Sequence, residues 1–256
     1  MKWAWAVCLW MWIACAPAHA GTVRLSTEDG KNLSGQSYGT GEKGVLLVHG
    51  SGRTGSDWEA FGARLGGNGF RVLAVDLRGH GGSKAAASEL TPEDFLAMNL
   101  DLDAGVAWLK KQGVTSVAVV GTQLGANLAL LVASQNSDIH NVVLISPGLN
   151  IDGIKVSGPL GTYKGPMLVV ANGGNLAGAK AATLISGKAA GESTLEIVKA
   201  EGDGYQLVNT APELDVTLVG WLNGAHGDLS ERAERNLDAA QVEEIETTGV
   251  RYEDRN

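Results

Sequence analysis

Cysteine is almost absent from the sequence, since Cys8 and Cys15 are its only two and both lie in the first twenty residues. A chain that begins at Gly21 therefore has no thiol, which excludes a disulfide bond and a cysteine nucleophile. Such a domain relies on its apolar core, and a chain of 256 residues can form a large one.

Basic residues are also few, with 20 lysines and arginines against 28 acidic residues and a formal net charge of −8. Because nucleic acids and anionic membranes attract basic proteins, this balance argues against both as partners. Apolar residues make up 44% of the chain and charged residues 19%. These proportions are typical of a globular protein and exclude a disordered chain or a bundle of membrane spans.

A long apolar run follows Lys2, extends from Trp3 to Cys15 and leads to Ala18-His19-Ala20. This order is typical of a secretory signal peptide, and the run is too short for a comfortable membrane span. We expect cleavage after Ala20 and an exported protein, periplasmic or secreted, without a transmembrane anchor after processing. The alternative is a lipid anchor on Cys15, because Ile13-Ala14-Cys15 resembles the end of a bacterial lipoprotein signal.

Short apolar runs alternate with helical patterns along residues 21–222, which predicts one α/β domain with a mainly parallel sheet covered on both faces. We expect a hairpin over 23–38 that turns at Asp29-Gly30, and further strands at 44–48, 70–77, 114–120, 141–145, 167–170 and 193–198. The expected helices are 58–65, 91–112, 126–134 and 207–222. Because residues 146–165 are too few to form a lid domain, the pocket should be shallow and open.

Residues 223–256 differ in composition, with nine acidic residues, four arginines and few large apolar side chains. Asp228 and Glu231 have the spacing of a helix cap, and small apolar residues recur after them at helical spacing. We expect an acidic appendage that is partly helical and loosely docked. A partner-binding helix is the alternative.

Two glycine-rich motifs each follow a buried strand: Val45-Leu-Leu-Val-His49-Gly50-Ser51-Gly52 and Asp76-Leu77-Arg78-Gly79-His80-Gly81-Gly82-Ser83. In this order and spacing they resemble the α/β-hydrolase superfamily, and the second is most similar to its lipase, serine aminopeptidase and haloperoxidase-like branches. The resemblance covers about residues 23–222. It implies the α/β-hydrolase fold with helices on both faces of the sheet and no large cap domain.

The resemblance also locates three catalytic positions, and none of them has the usual residue. The nucleophile elbow, G-x-S-x-G in this family, is Gly121-Thr122-Gln123-Leu124-Gly125 here, and a carboxamide is no nucleophile. Asn175 holds the place of the acid and Asp203 that of the histidine. We expect all three to converge at the carboxyl edge of the sheet, and Gln123 to keep a positive φ.

The family's oxyanion pocket would remain, built from the backbone N–H of Leu124 and one near Gly50 or Ser51. It would still hold a carbonyl or a small anion. For Asp203 we consider two interpretations. Either this residue arose by sequence drift after activity was lost, or it belongs to a polar pocket. In such a pocket Gln123 and Asn175 would donate and accept hydrogen bonds while Asp203 attracts a cation or hydroxyl.

Other polar residues have structural explanations. We expect Ser51 to be a loop serine, His49 and His80 to hold turns by hydrogen bonds, His140 to lie on the surface and His226 to lie beyond the closing helix. Asp76 and His80 lack a third donor at metal-ligand spacing, so no metal or cofactor is expected.

Three functional hypotheses remain. The first is a non-catalytic α/β-hydrolase-like protein that binds a small ligand or a protein partner. The second is a hydrolase of esters or amides with displaced residues, such as Ser51, or water with Asp203 and His226. The third is a structural or interaction module.

Overall fold

The computed structural model describes residues 21–84 and 90–227. The predictions of a signal peptide, of a lipid anchor on Cys15 and of a helix after Asp228 fall outside these residues. No helix within the two described ranges has the length and apolar character needed to cross a membrane.

Eight strands form the main sheet, and two short ones form a separate hairpin. The strands are β1 Gly21–Ser26, β2 Asn32–Tyr38, β3 Lys43–Val48, β4 Phe70–Val75, β5 Ser116–Thr122, β6 Ile139–Ile145, β7 Asn150–Ile151, β8 Ile154–Lys155, β9 Met167–Asn172 and β10 Ser193–Val198. The order in the sheet is β1-β2-β4-β3-β5-β6-β9-β10. Strand β2 runs antiparallel to β1 and to β4, and every pairing from β4 to β10 is parallel.

The helices are α1 Glu59–Gly67, α2 Pro92–Leu96, α3 Asn99–Lys111, α4 Leu124–Ala133, α5 Ser157–Thr162, α6 Leu176–Gly187, α7 Tyr205–Thr210 and α8 Pro212–Leu222. They cover both faces of the sheet. Successive side chains of a strand point to opposite faces, so each strand contributes to the apolar core on both sides. In β3, Leu46 and Val48 belong to the apolar cluster that includes α3, α4 and α6. Val45 and Leu47 belong to the cluster that includes α1 and α8. The predicted α/β-hydrolase architecture is confirmed.

Two helices expected to be continuous are each broken in two. Residues 91–112 form α2 and α3, with Ala97 and Met98 between them; ψ of Ala97 is near 0°, and Met98 is fully buried. Residues 207–222 are divided between α7 and α8 because Pro212 lacks an N–H and Ala211 before it is extended, with φ −116° and ψ 88°. Helix α6 was not predicted.

The connection 146–165 is structured, whereas the sequence predicted only a short polar link. Its hairpin β7-β8 turns at Asp152 and Gly153, whose φ values of 49° and 88° match a two-residue type I′ turn. The buried side chain of Asn127 on α4 holds the hairpin, donating to the carbonyl of Ile154 at 2.8 Å and accepting from the N–H of Gly148 at 3.2 Å. The helix behind the elbow therefore also positions this hairpin.

Candidate functional site

A cavity of about 380 Å³ lies at the carboxyl edge of the sheet. Its lining residues follow the carboxyl ends of β3, β5, β6, β9 and β10, which is where ligand sites occur in open α/β sheets. They are Ser51, Gln123, Ser146, Ile151, Asp152, Asn175, Gly178 and Asp203. The structure thus brings together Gln123, Asn175 and Asp203, the residues at the three triad positions.

The nucleophile elbow keeps its shape around Gln123, which has φ 51° and ψ −114° and directly precedes α4. This confirms the expected positive φ. The turn requires glycine on both sides, because a Cβ on Gly121 would lie 2.2 Å from the carbonyl oxygen of Gly125. A Cβ on Gly125 would lie 2.5 Å from the carbonyl oxygen of Val48. Both contacts are with backbone atoms, which cannot move aside as a flexible side chain does.

The side chain of Gln123 reaches from the elbow towards two glycines. A Cβ on Gly50 would lie 2.6 Å from its Oε1, and a Cβ on Gly204 would lie 3.3 Å from its Cδ. Gly50 and Leu124 do not line the cavity, so Ser51 alone of the three predicted oxyanion residues does. The Gln123 carboxamide covers Gly50, one side of the predicted oxyanion pocket.

Asn175 and Asp203 contact each other directly. The Nδ2 of Asn175 donates to Oδ2 of Asp203 at 2.8 Å, and its Oδ1 accepts from the N–H of Gly178 at 3.1 Å. Asn175 is therefore the N-cap of α6, a position that favours asparagine. The same side chain caps a helix and holds the carboxylate of Asp203 at the cavity.

Two residues that the sequence analysis did not single out hold the loop before Asp203. Asn172 is buried, and its Nδ2 donates to the carbonyls of Ala200 at 2.8 Å and Gly202 at 2.7 Å. Ser146 has φ 51°, and its Oγ accepts from the N–H of Gly204 at 2.9 Å. The ends of β6 and β9 thereby fix the turn that carries Asp203.

Ser51 donates a hydrogen bond to Oδ2 of Asp152, the first turn residue of the β7-β8 hairpin. Both residues are exposed and line the cavity. Asp152 was not predicted as a site residue, although an Asp-Gly pair between two isoleucines is a strong hairpin signal. This contact gives the cavity a second carboxylate.

His49 is fully buried and uses both ring nitrogens on backbone groups. The N–H of Leu77 donates to Nε2 at 3.0 Å, so the proton is on Nδ1, which donates to the carbonyl of Gly50 at 2.8 Å. Burial lowers the pKa of His49 from 6.5 to about 4. The ring is therefore neutral at physiological pH and holds the loop together, as predicted.

His80 has the same role in the second motif. Its Nε2 accepts from the N–H of Gly52 at 3.2 Å, and its Nδ1 donates to the carbonyl of Arg78 at 3.0 Å. The rings of His80 and His49 lie 5.0 Å apart. Neither imidazole has a nitrogen left for a serine.

His226 lies at the closing helix, and its ring packs on Trp221 at 4.3 Å between centroids. Its Nε2 donates to the carbonyl of Trp221 at 3.0 Å, and it does not line the cavity. His140 is exposed, as predicted. The displaced mechanism that combines Asp203 with His226 therefore gains no support from this geometry.

The carboxylate of Asp76 is satisfied by backbone donors, since Gly55 N–H lies 2.7 Å from Oδ1 and Gly82 N–H lies 2.8 Å from Oδ2. It joins the segment after β3 to the glycine-rich loop after β4. Among residues 21–84 and 90–227, no group of three or more His, Cys, Asp or Glu side chains is arranged to hold a metal ion.

Comparison with known families identifies the fold. A family model described as "Alpha/beta hydrolase family" matches residues 45–240. The chain belongs to the Alpha/beta hydrolase family. Curated relatives in this comparison include protein phosphatase methylesterase 1 from Bos taurus and from Mus musculus, each 31% identical over 119 residues. That match covers 44% of this chain but only 30% of each relative.

Solved structures show the same α/β-hydrolase architecture. An esterase from Pyrococcus furiosus has a TM-score of 0.69 and 21% identity, covering 80% of this chain and 92% of its own. An esterase from Exiguobacterium antarcticum has a TM-score of 0.67 and 18% identity, covering 80% and 100%. A dienelactone hydrolase from Anabaena variabilis has a TM-score of 0.66 and 16% identity, covering 80% and 97%. At these identities the similarity establishes the fold.

Proposed function

We propose that this chain is an exported, non-catalytic α/β-hydrolase whose cavity binds a small polar ligand. The observation that carries the proposal is Gln123, which keeps the strained conformation of the elbow but presents a carboxamide where this family has a hydroxyl. The second motif, Asp76 to Ser83, supports a place near the lipase, serine aminopeptidase and haloperoxidase-like branches.

The other two positions support the same proposal. Asp203 stands at the histidine position and contacts an amide, Asn175, where a hydrolase has a histidine held by a carboxylate. A general base must be within hydrogen-bond reach of the proton that it removes. None of the eight residues that line the cavity is a histidine. Both ring nitrogens of His49 and of His80 are hydrogen-bonded to backbone groups.

A hydrolase with displaced residues is the second candidate, because the hydroxyl of Ser51 contacts the carboxylate of Asp152 at the cavity. A serine nucleophile requires an adjacent base that is itself oriented by a third group. The contacts of the exposed Asp152 provide no such third group within the described residues. We therefore favour the non-catalytic function.

Labelling with a fluorophosphonate probe and hydrolysis of p-nitrophenyl acetate test the proposal. We expect no labelling, and turnover no faster than that of a heat-unfolded sample, with a catalytically active esterase as the positive control. Saturable turnover that is lost in Ser51→Ala would favour the displaced hydrolase. Turnover that survives in Ser51→Ala would point to a nucleophile elsewhere, and it would overturn the non-catalytic proposal as well.

Export is tested separately by expressing the full chain in a bacterial host and determining its N terminus by mass spectrometry. We expect Gly21, the first residue of β1, so that processing after Ala20 leaves the described sheet whole. A lipid-modified N terminus at Cys15 would support the anchored form. An unprocessed N terminus in the cytoplasmic fraction would contradict export.

A further inference from the structure

The cavity contains two carboxylates and no opposite charge. Asp152 and Asp203 line it, and none of the other six lining residues is Lys, Arg or His. The polar side chains that complete the lining are neutral amides and hydroxyls, and Ile151 is its only sizeable apolar side chain. Such a surface suits a small polar molecule rather than an acyl chain, and a concave site of one charge attracts the opposite charge.

Both carboxylates lie in loops that are linked to the elbow residue Gln123 through neighbouring residues. Asp152 contacts Ser51, whose neighbour Gly50 lies against Oε1 of Gln123. Asp203 precedes Gly204, which lies near the same carboxamide. Because Gln123, Asp152 and Asp203 line one cavity, a molecule bound there lies near all three side chains.

These side chains keep hydrogen-bonding capacity for a ligand. Asp203 uses Oδ2 on Asn175, and Asp152 uses Oδ2 on Ser51, so the Oδ1 atom of each has no partner within residues 21–84 and 90–227. The carboxamide of Gln123 likewise makes no hydrogen bond to the described residues. A carboxylate only accepts, whereas a carboxamide both donates and accepts.

From this arrangement we propose that the cavity binds a small organic cation with a protonated primary or secondary amine and a neutral polar group. The ammonium N–H groups would donate to Asp152 and Asp203, and the neutral group would bind Gln123. The lining has no aromatic ring to hold a quaternary ammonium, so N–H donors are required. This inference rests on the proposed non-catalytic function and names the ligand class of that same cavity.

Isothermal titration calorimetry with three molecules of nearly equal size tests the inference: cationic 4-aminobutanamide, neutral 4-hydroxybutanamide and anionic succinamate. We expect the dissociation constant of the cation to be at least tenfold below that of the neutral molecule, and the anion to bind more weakly than either. Asp152→Asn and Asp203→Asn should each weaken cation binding about tenfold, ~1.4 kcal/mol, and reduce the preference for the cation over the neutral molecule. Both variants keep the shape of the side chain, and thermal unfolding checks that they are folded.

Asp138→Asn is the matched control, because it makes the same change of charge at a surface residue that pairs with Lys110 outside the cavity. Its cation affinity should equal that of the wild type. If the neutral or anionic molecule binds as tightly as the cation, and this binding is lost in Gln123→Ala, the cation inference is overturned and the ligand-binding function stands. Binding of none of the three would also overturn the inference, while fluorophosphonate labelling decides independently whether the site is catalytic.

Discussion

The carboxamide of Gln123 differs from a serine hydroxyl in length as well as in reactivity. Its Oε1 lies against Gly50, one of the residues predicted to form the oxyanion pocket. Replacing Gln123 with serine would shorten the side chain and uncover this loop. A residue that restores catalysis at position 123 must therefore be small as well as reactive.

We expect the triple variant Gln123→Ser, Asn175→Asp, Asp203→His to gain esterase activity. The two latter changes exchange the donor and acceptor of the existing 2.8 Å contact, and aspartate can still cap α6. Because triad members act as a unit, each single change should leave turnover of p-nitrophenyl acetate at the wild-type level, and the triple variant should exceed it at least tenfold.

The fluorophosphonate probe provides a second measurement for these variants. It should label the triple variant and not Asp203→His alone. A folded triple variant that is neither labelled nor active would contradict the assignment of the three positions.

The buried imidazole of His49 predicts a pH dependence of stability. Its pKa is about 4 in the folded protein and 6.5 in the unfolded chain, so the unfolded chain binds more protons between these values. The stabilisation is complete above pH 6.5 and is lost as the pH falls towards 4. The pKa difference corresponds to about 3 kcal/mol, at about 1.4 kcal/mol per pKa unit.

Urea unfolding of His49→Gln measures this effect. The variant should lose less stability than the wild type over that pH range, while the exposed control His140→Gln should follow the wild type. Parallel curves for the wild type and His49→Gln would show that His49 does not titrate differently in the two states.

At the residue scale, local signals were predictable and long-range contacts were not. The positive φ of Gln123 follows from glycines two residues away on each side. By contrast, the partner of Ser51 is Asp152, and the partner of Ser146 is Gly204, which lies 58 positions away. No local pattern encodes such pairs.

At the scale of elements, the strand-elbow-helix unit depends on close backbone contact. We predict that Gly125→Ala destabilises the fold by about 3 kcal/mol or more, because its Cβ would lie within 2.6 Å of the carbonyls of both Val48 and His49. Gly187→Ala at the end of α6 is the matched control, since a Cβ there meets nothing within 4 Å. Its effect should stay within about 1 kcal/mol.

Thermal and urea unfolding of both variants decide this prediction. Similar midpoints for the two would mean that the elbow relaxes to admit a methyl group.

Element boundaries were predicted where a residue enforces them. Thr91 and Pro92 begin α2 as expected, with the side chain of Thr91 accepting from the N–H of Asp94 in a capping box. The break between Leu96 and Asn99 has no glycine or proline to signal it. Pro212 marks the start of α8, but the helical pattern on both sides of it led to the prediction of one continuous helix over 207–222.

At the scale of the whole molecule, a buried ion network joins distant parts of the chain. Arg78, in the loop after β4, contacts Asp101 on α3 at 2.7 Å and Asp29 in the β1-β2 turn at 2.7 Å. Asp101 is fully buried and Arg78 nearly so. Without the Asp101 carboxylate, the buried guanidinium of Arg78 keeps only the more exposed Asp29 as a charged partner, which is costly.

We therefore expect Asp101→Asn to lower the free energy of unfolding by about 3 kcal/mol. The control is Asp215→Asn, which breaks the more exposed pair with Arg64 and should cost less than about 1 kcal/mol. Chemical denaturation compares the two directly. Equal losses would contradict a structural role for the buried network.

The global architecture was the most predictable level, because alternating apolar strands and amphipathic helices permit few topologies. The order of strands along residues 21–222 and the parallel sheet agree with expectation. The hairpin inside 146–165 was missed because strands of two residues form no periodic pattern, although its Asp152-Gly153 turn was a local signal for it.

None of the eight residues that line the cavity belongs to either apolar cluster of the core, although Ile151 packs against one of them. The cavity lining and the apolar core thus use separate sets of residues, although Asn175 also caps α6. A combinatorial library that varies positions 51, 123, 152 and 203 would change what enters the cavity while the strands below keep their packing. The chain is therefore a suitable starting scaffold for selecting receptors for small molecules.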